Sequence, residues 1–249
     1  PYSSEQKKNG EIWTNLLFGY AGGMQGSSVY QKWDGFMSGT AHHCFFKIGE
    51  QYMIGYHAHQ NRKGDSPRYF GMDKLFFDKD GVPFCQGPSA TIQTLPEAIS
   101  GYKNIAVDAK IYASDTIRNA ERLTDNYVSE HYNLVQEQDT ETYLPLGKCY
   151  IELEFDKEYE IGGLAVYNSA YYDKAVYNVS YVDFKNGNAV KDLEFLSEKF
   201  INDETEFVIP NSAFTVEFYT EFKSNKVVVC FNLPEGGQIN EIKVLGKEA

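Results

Sequence analysis

The stretch Gly39–His59, GTAHHCFFKIGEQYMIGYHAH, places four of the chain's five histidines inside two short apolar runs. Cys44–Ile48 and Tyr52–Tyr56 are rich in β-favouring residues and are separated by Gly49, Glu50 and Gln51. A Gly-containing break between two such runs predicts an antiparallel hairpin. The hairpin brings its entry and its exit side by side, so His42 and His43 fall next to His57 and His59. Any chemistry of this small sheet is expected at that one end.

The β character continues. Tyr69, Met72, Leu75 and Phe77 carry it through Arg68–Phe77, and Asp78-Lys79-Asp80-Gly81 is a turn by its Asp-Gly content. Three consecutive antiparallel strands with short turns make a sheet the size of one propeller blade. A connecting segment, residues 91–108, follows, and beyond it alternation becomes regular. In Cys149–Asp156, Ile151, Leu153 and Phe155 point one way and Tyr150, Glu152 and Glu154 the other, the pattern of a sheet with one wet face. Two-residue periods recur at Leu164–Tyr167, Val176–Phe184, Phe214–Phe218, Val227–Phe231 and Ile242–Leu245, with Asn186-Gly187 as a hairpin turn. Helical periodicity is almost absent. The expected fold class is all-β, with a β-sandwich in the second half.

Charge and composition narrow the partners. A net charge of −12 without clustered Lys and Arg excludes a nucleic-acid surface. No apolar run reaches the roughly 18 residues of a membrane span. The 19 tyrosines suit β-sheet packing first and sugar stacking second. Cys44, Cys85, Cys149 and Cys230 have no C-x-x-C spacing, which argues against zinc and thioredoxin-type chemistry. Each lies in or beside an apolar run, favouring buried free thiols over the two disulfides an exported protein could form. The chain opens on Pro1 without an initiator Met and is read as part of a longer gene product.

GTAHHCFF (39–46), YHAH (56–59), Arg68, DKLFFDKDGVP (73–83) and Gly87-Pro88 resemble, in this order and spacing, the last part of the catalytic domain of glycoside hydrolase family 43. The resemblance covers about residues 30–90. It implies that residues 1–95 are the last blade or blades of a five-bladed β-propeller that cleaves arabinofuranosyl or xylosyl linkages in plant polysaccharide with inversion. Inversion needs two carboxyls roughly 6.5–9.5 Å apart, with water between one of them and the sugar. The family's Asp, Asp and Glu come from earlier blades, upstream of Pro1, so no catalytic residue is expected in this chain. The N-terminal remainder of the propeller is then an expected partner, and the fragment alone is expected to be inactive.

His42 matches the family histidine near the propeller axis, and Arg68 matches an arginine that reaches the sugar subsite; the guanidinium fork suits hydroxyls and carboxylates. A hydrogen-bonded structural histidine and a salt-bridging arginine stay open beside these roles. Asp34, Asp65 and Asp73 read as solvated carboxylates, and Trp33, Tyr56 and Phe70 as packing residues before stacking ones.

Residues 106–125, 150–155 and 161–169, with the closing INEIKVLG (239–246), resemble a galactose-binding-like jelly roll, the fold of discoidin domains and several carbohydrate-binding modules. This assigns residues 96–249 to a second domain. It implies a structural Ca²⁺ held by Asp125 and Glu241, hard oxygen donors from distant segments. Tyr132, Tyr171 and Tyr172 are loop aromatics on which a glycan could stack. Two functions follow from the resemblances: an exported glycosidase, secreted, periplasmic or on the cell surface, or a non-catalytic glycan-binding protein acting through the sandwich.

Overall fold

The structure, a computed structural model, describes residues 38–59, 67–77, 83–85, 93–128, 142–168, 179–184, 213–217, 223–233 and 236–249. Trp33, Asp34, Asp65, Tyr132, Tyr171, Tyr172 and the turns at Asp78–Gly81 and Asn186-Gly187 lie outside the described residues.

The first sheet is an antiparallel meander of β1 (Ser38–Ile48), β2 (Gln51–His59), β3 (Arg68–Phe77) and β4 (Pro83–Cys85). The hairpin turn is one residue shorter than the sequence suggests, because Ile48 already pairs with Gln51. Gly49 stands at φ +59, the left-handed conformation that tight hairpins require. A Cβ on Gly49 would lie 2.6 Å from Ala98 Cβ, so the hairpin tip rests on the single helical turn α1 (Glu97–Ser100).

Two devices shape this sheet. Between the pairs Ala41–His57 and Cys44–Gly55, β1 carries one residue more than β2, a bulge that contains His42 and His43. His42 takes φ +50, uncommon for a residue with a Cβ. In β3, Gly71 leaves room for the Tyr56 ring, which would stand 2.4 Å from a Cβ there. Tyr56 thereby donates its hydroxyl hydrogen bond to Asp73 Oδ2 at 2.7 Å. Gln93 Nε2 donates to Asp73 Oδ1 at 2.7 Å and to the Met72 carbonyl at 3.0 Å, pinning the connecting segment along β3. Asp73, read from sequence as a solvated carboxylate, is 1% exposed. The reason is period: Asp73 shares the inward face with Leu75, and Tyr56 supplies the hydrogen bond that burial demands.

Eight further strands follow, β5 (Lys103–Asn104), β6 (Lys110–Ala113), β7 (Thr142–Leu144), β8 (Gly147–Asn168), β9 (Val179–Phe184), β10 (Ala213–Glu217), β11 (Lys223–Leu233) and β12 (Gly237–Glu248). The 22-residue β8 belongs to both layers of a β-sandwich. Its first half pairs with β6 and β11, and β11 continues to β9. Its second half pairs with β10 and β12, and β12 carries β5 and β7. Ile151, Leu153, Phe155, Val227, Val229 and Phe231 of one layer form a single core with Leu164, Val166, Ile242 and Val244 of the other. Each such side chain contributes roughly 1.5–3 kcal/mol by leaving water.

The alternation expected for Cys149–Asp156 is observed, and on its outer face Lys226 bonds Glu152. At Leu164–Tyr167 the expected alternation gives way to continuous burial: Leu164, Ala165, Val166 and Tyr167 are all buried. The second layer is covered on its outer side by Val128 and by Phe76 of the small sheet, whose ring meets Tyr167 edge-to-face at 5.4 Å. A strand covered on both faces reads as an unbroken apolar run. Helix is confined, among the described residues, to α1 and two 3₁₀ segments, and no helix is long and apolar enough to cross a membrane.

Candidate functional site

The histidine end of the small sheet assembles as the spacing predicts. Arg68 pairs with His59 across β2 and β3, while Ala41 and His57 pair across β1 and β2. The Arg68 guanidinium donates through Nε to His59 Nε2 at 3.3 Å, and its Nη1 lies 3.0 Å from His57 Nε2. The rings of His42 and His57 are 4.8 Å apart, while His43 turns to Phe45. Partial burial, then the charge of Arg68, holds the His57 pKa below its ordinary value. The group is an exposed donor cluster suited to hydroxyl or carboxylate oxygens. No cluster of three or more His, Cys, Asp or Glu suited to a metal ion occurs among the described residues.

The second predicted pair, Asp125 and Glu241, also meets. The Asn126 N–H donates to Glu241 Oε1 at 3.2 Å, and the Tyr127 N–H donates to Asp125 Oδ1 at 2.9 Å. Glu241 is fully buried, and its Oε2 has no hydrogen-bond partner. Burial, reinforced by the nearby Asp125 charge, pushes its pKa up to about 9 against the attraction of Lys243. Burial also raises Asp125. Two carboxylates from distant segments, one ending in an unpaired buried oxygen, fit a hard cation that prefers six to eight oxygens. Asp125 and Glu241 would hold such an ion, with backbone carbonyls or water completing its shell. Its chemistry would be structural, tying the 3₁₀ segment that ends at Thr124 to β12.

A third feature has no counterpart in the motifs. Between the hairpin tip, α1 and the second layer of the sandwich lies a cleft of about 820 Å³. This is within the roughly 300–1,000 Å³ of small-ligand sites. Tyr52 and Phe77 meet edge-to-face at 5.1 Å on one side, each about two-fifths exposed. Tyr102, Tyr127 and the amides of Gln51, Asn104 and Asn126 also line the cleft. Lys243 reaches in from β12, its ammonium 5.2 Å from the Phe76 ring centroid and 5.3 Å from that of Tyr167. Sequence reasoning missed this cleft because its walls come from seven segments scattered along the chain. The one legible hint was the excess of tyrosine.

The four cysteines are free, Cys85 and Cys149 buried, Cys230 part-buried and Cys44 exposed. Cys44 thus departs from the expected burial.

The fold and these sites define a β-sandwich that presents aromatic and amide side chains at a cleft against a small antiparallel sheet. No protein-family model and no curated protein matches the chain. Among solved structures it is similar to an F-lectin (fucolectin) from striped bass serum, at 16% identity and a TM-score of 0.45 over 59% of this chain and 50% of the lectin. The chain therefore spans about half that lectin's length. It is similar to a Streptococcus pneumoniae fucose-binding module, at 17% identity and a TM-score of 0.41 over 59% of this chain and 98% of the module. A family 32 carbohydrate-binding module of Clostridium perfringens NanJ, solved with galactose, aligns at 12% identity and a TM-score of 0.37, over 58% of this chain and 98% of the module.

Proposed function

We propose that this chain is a glycan-binding protein, and that the cleft between the small sheet and the sandwich takes the sugar. The carrying observation is the wall chemistry. Sugars are flat, with apolar C–H faces and a rim of hydroxyls, and they are bound by aromatic faces interleaved with planar amides. The cleft offers Tyr52 and Phe77 as platforms and Gln51, Asn104 and Asn126 as donors and acceptors. The modules and lectin to which the chain is similar are named for fucose or were solved with galactose, which agrees with this reading without selecting a sugar. Export to the cell surface or medium accompanies it.

The full chain, screened against neutral and acidic plant oligosaccharides, is expected to bind at least one class, and Tyr52→Ala or Phe77→Ala to weaken that binding about tenfold, near 1.4 kcal/mol. Silence across the panel, or binding indifferent to both substitutions, overturns the assignment.

A second reading keeps residues 1–95 as part of a hydrolytic propeller completed by polypeptide upstream. It is favoured by exposed apolar side chains on both faces of the small sheet. Phe45 lies on one face, 56% exposed, and Phe70 on the other, 74% exposed. Such surface calls for neighbours on both sides. His42 and Arg68 would then contact sugar beside carboxylates from other blades. The protein extended upstream of Pro1 would hydrolyse nitrophenyl arabinofuranoside or xyloside, and Arg68→Ala would lower kcat/KM at least tenfold. Absence of turnover retires the hydrolase reading and leaves the binding one intact.

A further inference from the structure

The acids and bases around the cleft are not evenly matched. Glu50 is engaged by Lys47 at 3.1 Å. Asp125 accepts from the Tyr127 amide and feels the charge of Arg122. Lys74 donates to Thr94 Oγ1 at 2.6 Å. Lys243 differs. Among the described residues its ammonium has no hydrogen-bond acceptor and no carboxylate oxygen within 4.0 Å, and its neighbours are the π-faces of Phe76 and Tyr167. Glu241, two positions away on β12, attracts it along the strand but makes no hydrogen bond or close salt bridge to it.

On the same wall Asn104 spends its Oδ1 on the N–H groups of Ala106 and Val244, at 3.1 and 3.2 Å. Its Nδ2 has no acceptor. A desolvated ammonium with three N–H donors and no acceptor is costly unless something supplies one, and aromatic faces compensate only part of the loss. The missing partner is therefore a compact anion that enters from the cleft.

We infer that the cleft is selective for acidic saccharides, with Lys243 receiving the carboxylate of a uronic acid while Tyr52 and Phe77 stack on adjoining rings. This rests on the glycan-binding reading and names its substrate class. The ion pair forms inside a partly dry cleft, where a charge-assisted hydrogen bond is stronger than at an open surface. Lys243 is a specificity-determining residue here and takes no part in bond-breaking.

The test compares trigalacturonate with its fully methyl-esterified form, which keeps the rings and hydroxyls and removes the charge. Calorimetry with the full chain is expected to show at least tenfold tighter binding of the free acid. Lys243→Met should abolish that preference, while Lys243→Arg should retain most of it; circular dichroism of each variant checks that the sandwich is intact. Equal binding of acid and ester that is lost in Tyr52→Ala overturns the acidic specificity and leaves glycan binding standing. Failure of both saccharides to bind overturns this inference, and the wider oligosaccharide panel then decides the glycan-binding reading separately. A preference for the acid that survives in a folded Lys243→Met protein also overturns the assignment of Lys243.

Discussion

In calcium-free buffer the unfolding midpoint of this protein is expected to fall as pH rises from 5 to 8, and millimolar Ca²⁺ is expected to restore it. The cause is Glu241. A carboxyl whose folded pKa lies near 9 keeps its proton in the folded state across a range in which the unfolded chain, at an ordinary 4.5, has released it. The folded state then binds more protons, so the stabilisation is complete below about pH 4.5 and is lost progressively toward pH 9. The limiting slope is about 1.4 kcal/mol per pH unit, or roughly 3–5 °C for a domain of this size. Glu160 and Glu248 do not confuse the reading. Their pKa values are lowered by Lys247 and Lys157, so their contribution is lost only on acidification, below the window chosen. A cation bound between Asp125 and Glu241 favours the ionised carboxylate and reverses the slope. Glu241→Gln, isosteric and uncharged, should lose this downward slope from pH 5 to 8 and ignore both Ca²⁺ and chelator, leaving the opposite slope that His57, its pKa lowered in the folded state, contributes as pH rises. A wild-type midpoint constant over that range would show that Glu241 is already ionised and compensated, and a pH-dependent midpoint indifferent to Ca²⁺ would rule out the metal.

The second large effect is a single methyl group. Gly71→Ala is expected to destabilise the small sheet by about 3 kcal/mol or more. The added Cβ falls 2.4 Å from Cζ and 2.7 Å from the hydroxyl of Tyr56, so either the ring leaves or β3 shifts. Overpacking alone costs about 1–3 kcal/mol. If the ring leaves, buried Asp73 loses the hydroxyl at 2.7 Å, and a buried acceptor stripped of a donor costs about 1–3 kcal/mol more. Tyr56→Phe separates the two contributions, since it keeps the ring and removes only the hydrogen bond; about 1–2 kcal/mol is expected. Denaturant unfolding followed by aromatic fluorescence reads both variants. A Gly71→Ala protein as stable as the parent would mean that β2 and β3 do not approach as described.

Local pattern carried the sequence reading as far as local pattern reaches. The hairpin, the gathering of His42, His57, His59 and Arg68 at one end, and the alternation of Cys149–Asp156 are set by period two and antiparallel pairing, which are visible in a few residues. The meeting of Asp125 with Glu241 came from resemblance, because no pattern links positions more than a hundred residues apart. Asp73 was misread because a carboxylate between Met and Lys looks wet; the hydrogen bonds that make its burial tolerable come from Tyr56 and Gln93, which are distant in the chain. The continuous burial of Leu164–Tyr167 was misread because its second covering, Phe76, belongs to another sheet. The cleft was invisible for the same reason.

The position of β12 has a consequence for synthesis. This final strand lies inside the sheet, with β8 on one side and β5 and β7 on the other. At roughly 5–20 residues per second, β8 leaves the ribosome several seconds before its neighbour exists. Until Glu248 emerges, the edge of β8 at Leu164–Tyr167 lacks its hydrogen-bonded neighbour and the core lacks Ile242 and Val244, so the growing chain must be shielded or remain loosely collapsed. Loss of β12 would therefore cost the whole sandwich instead of a frayed edge.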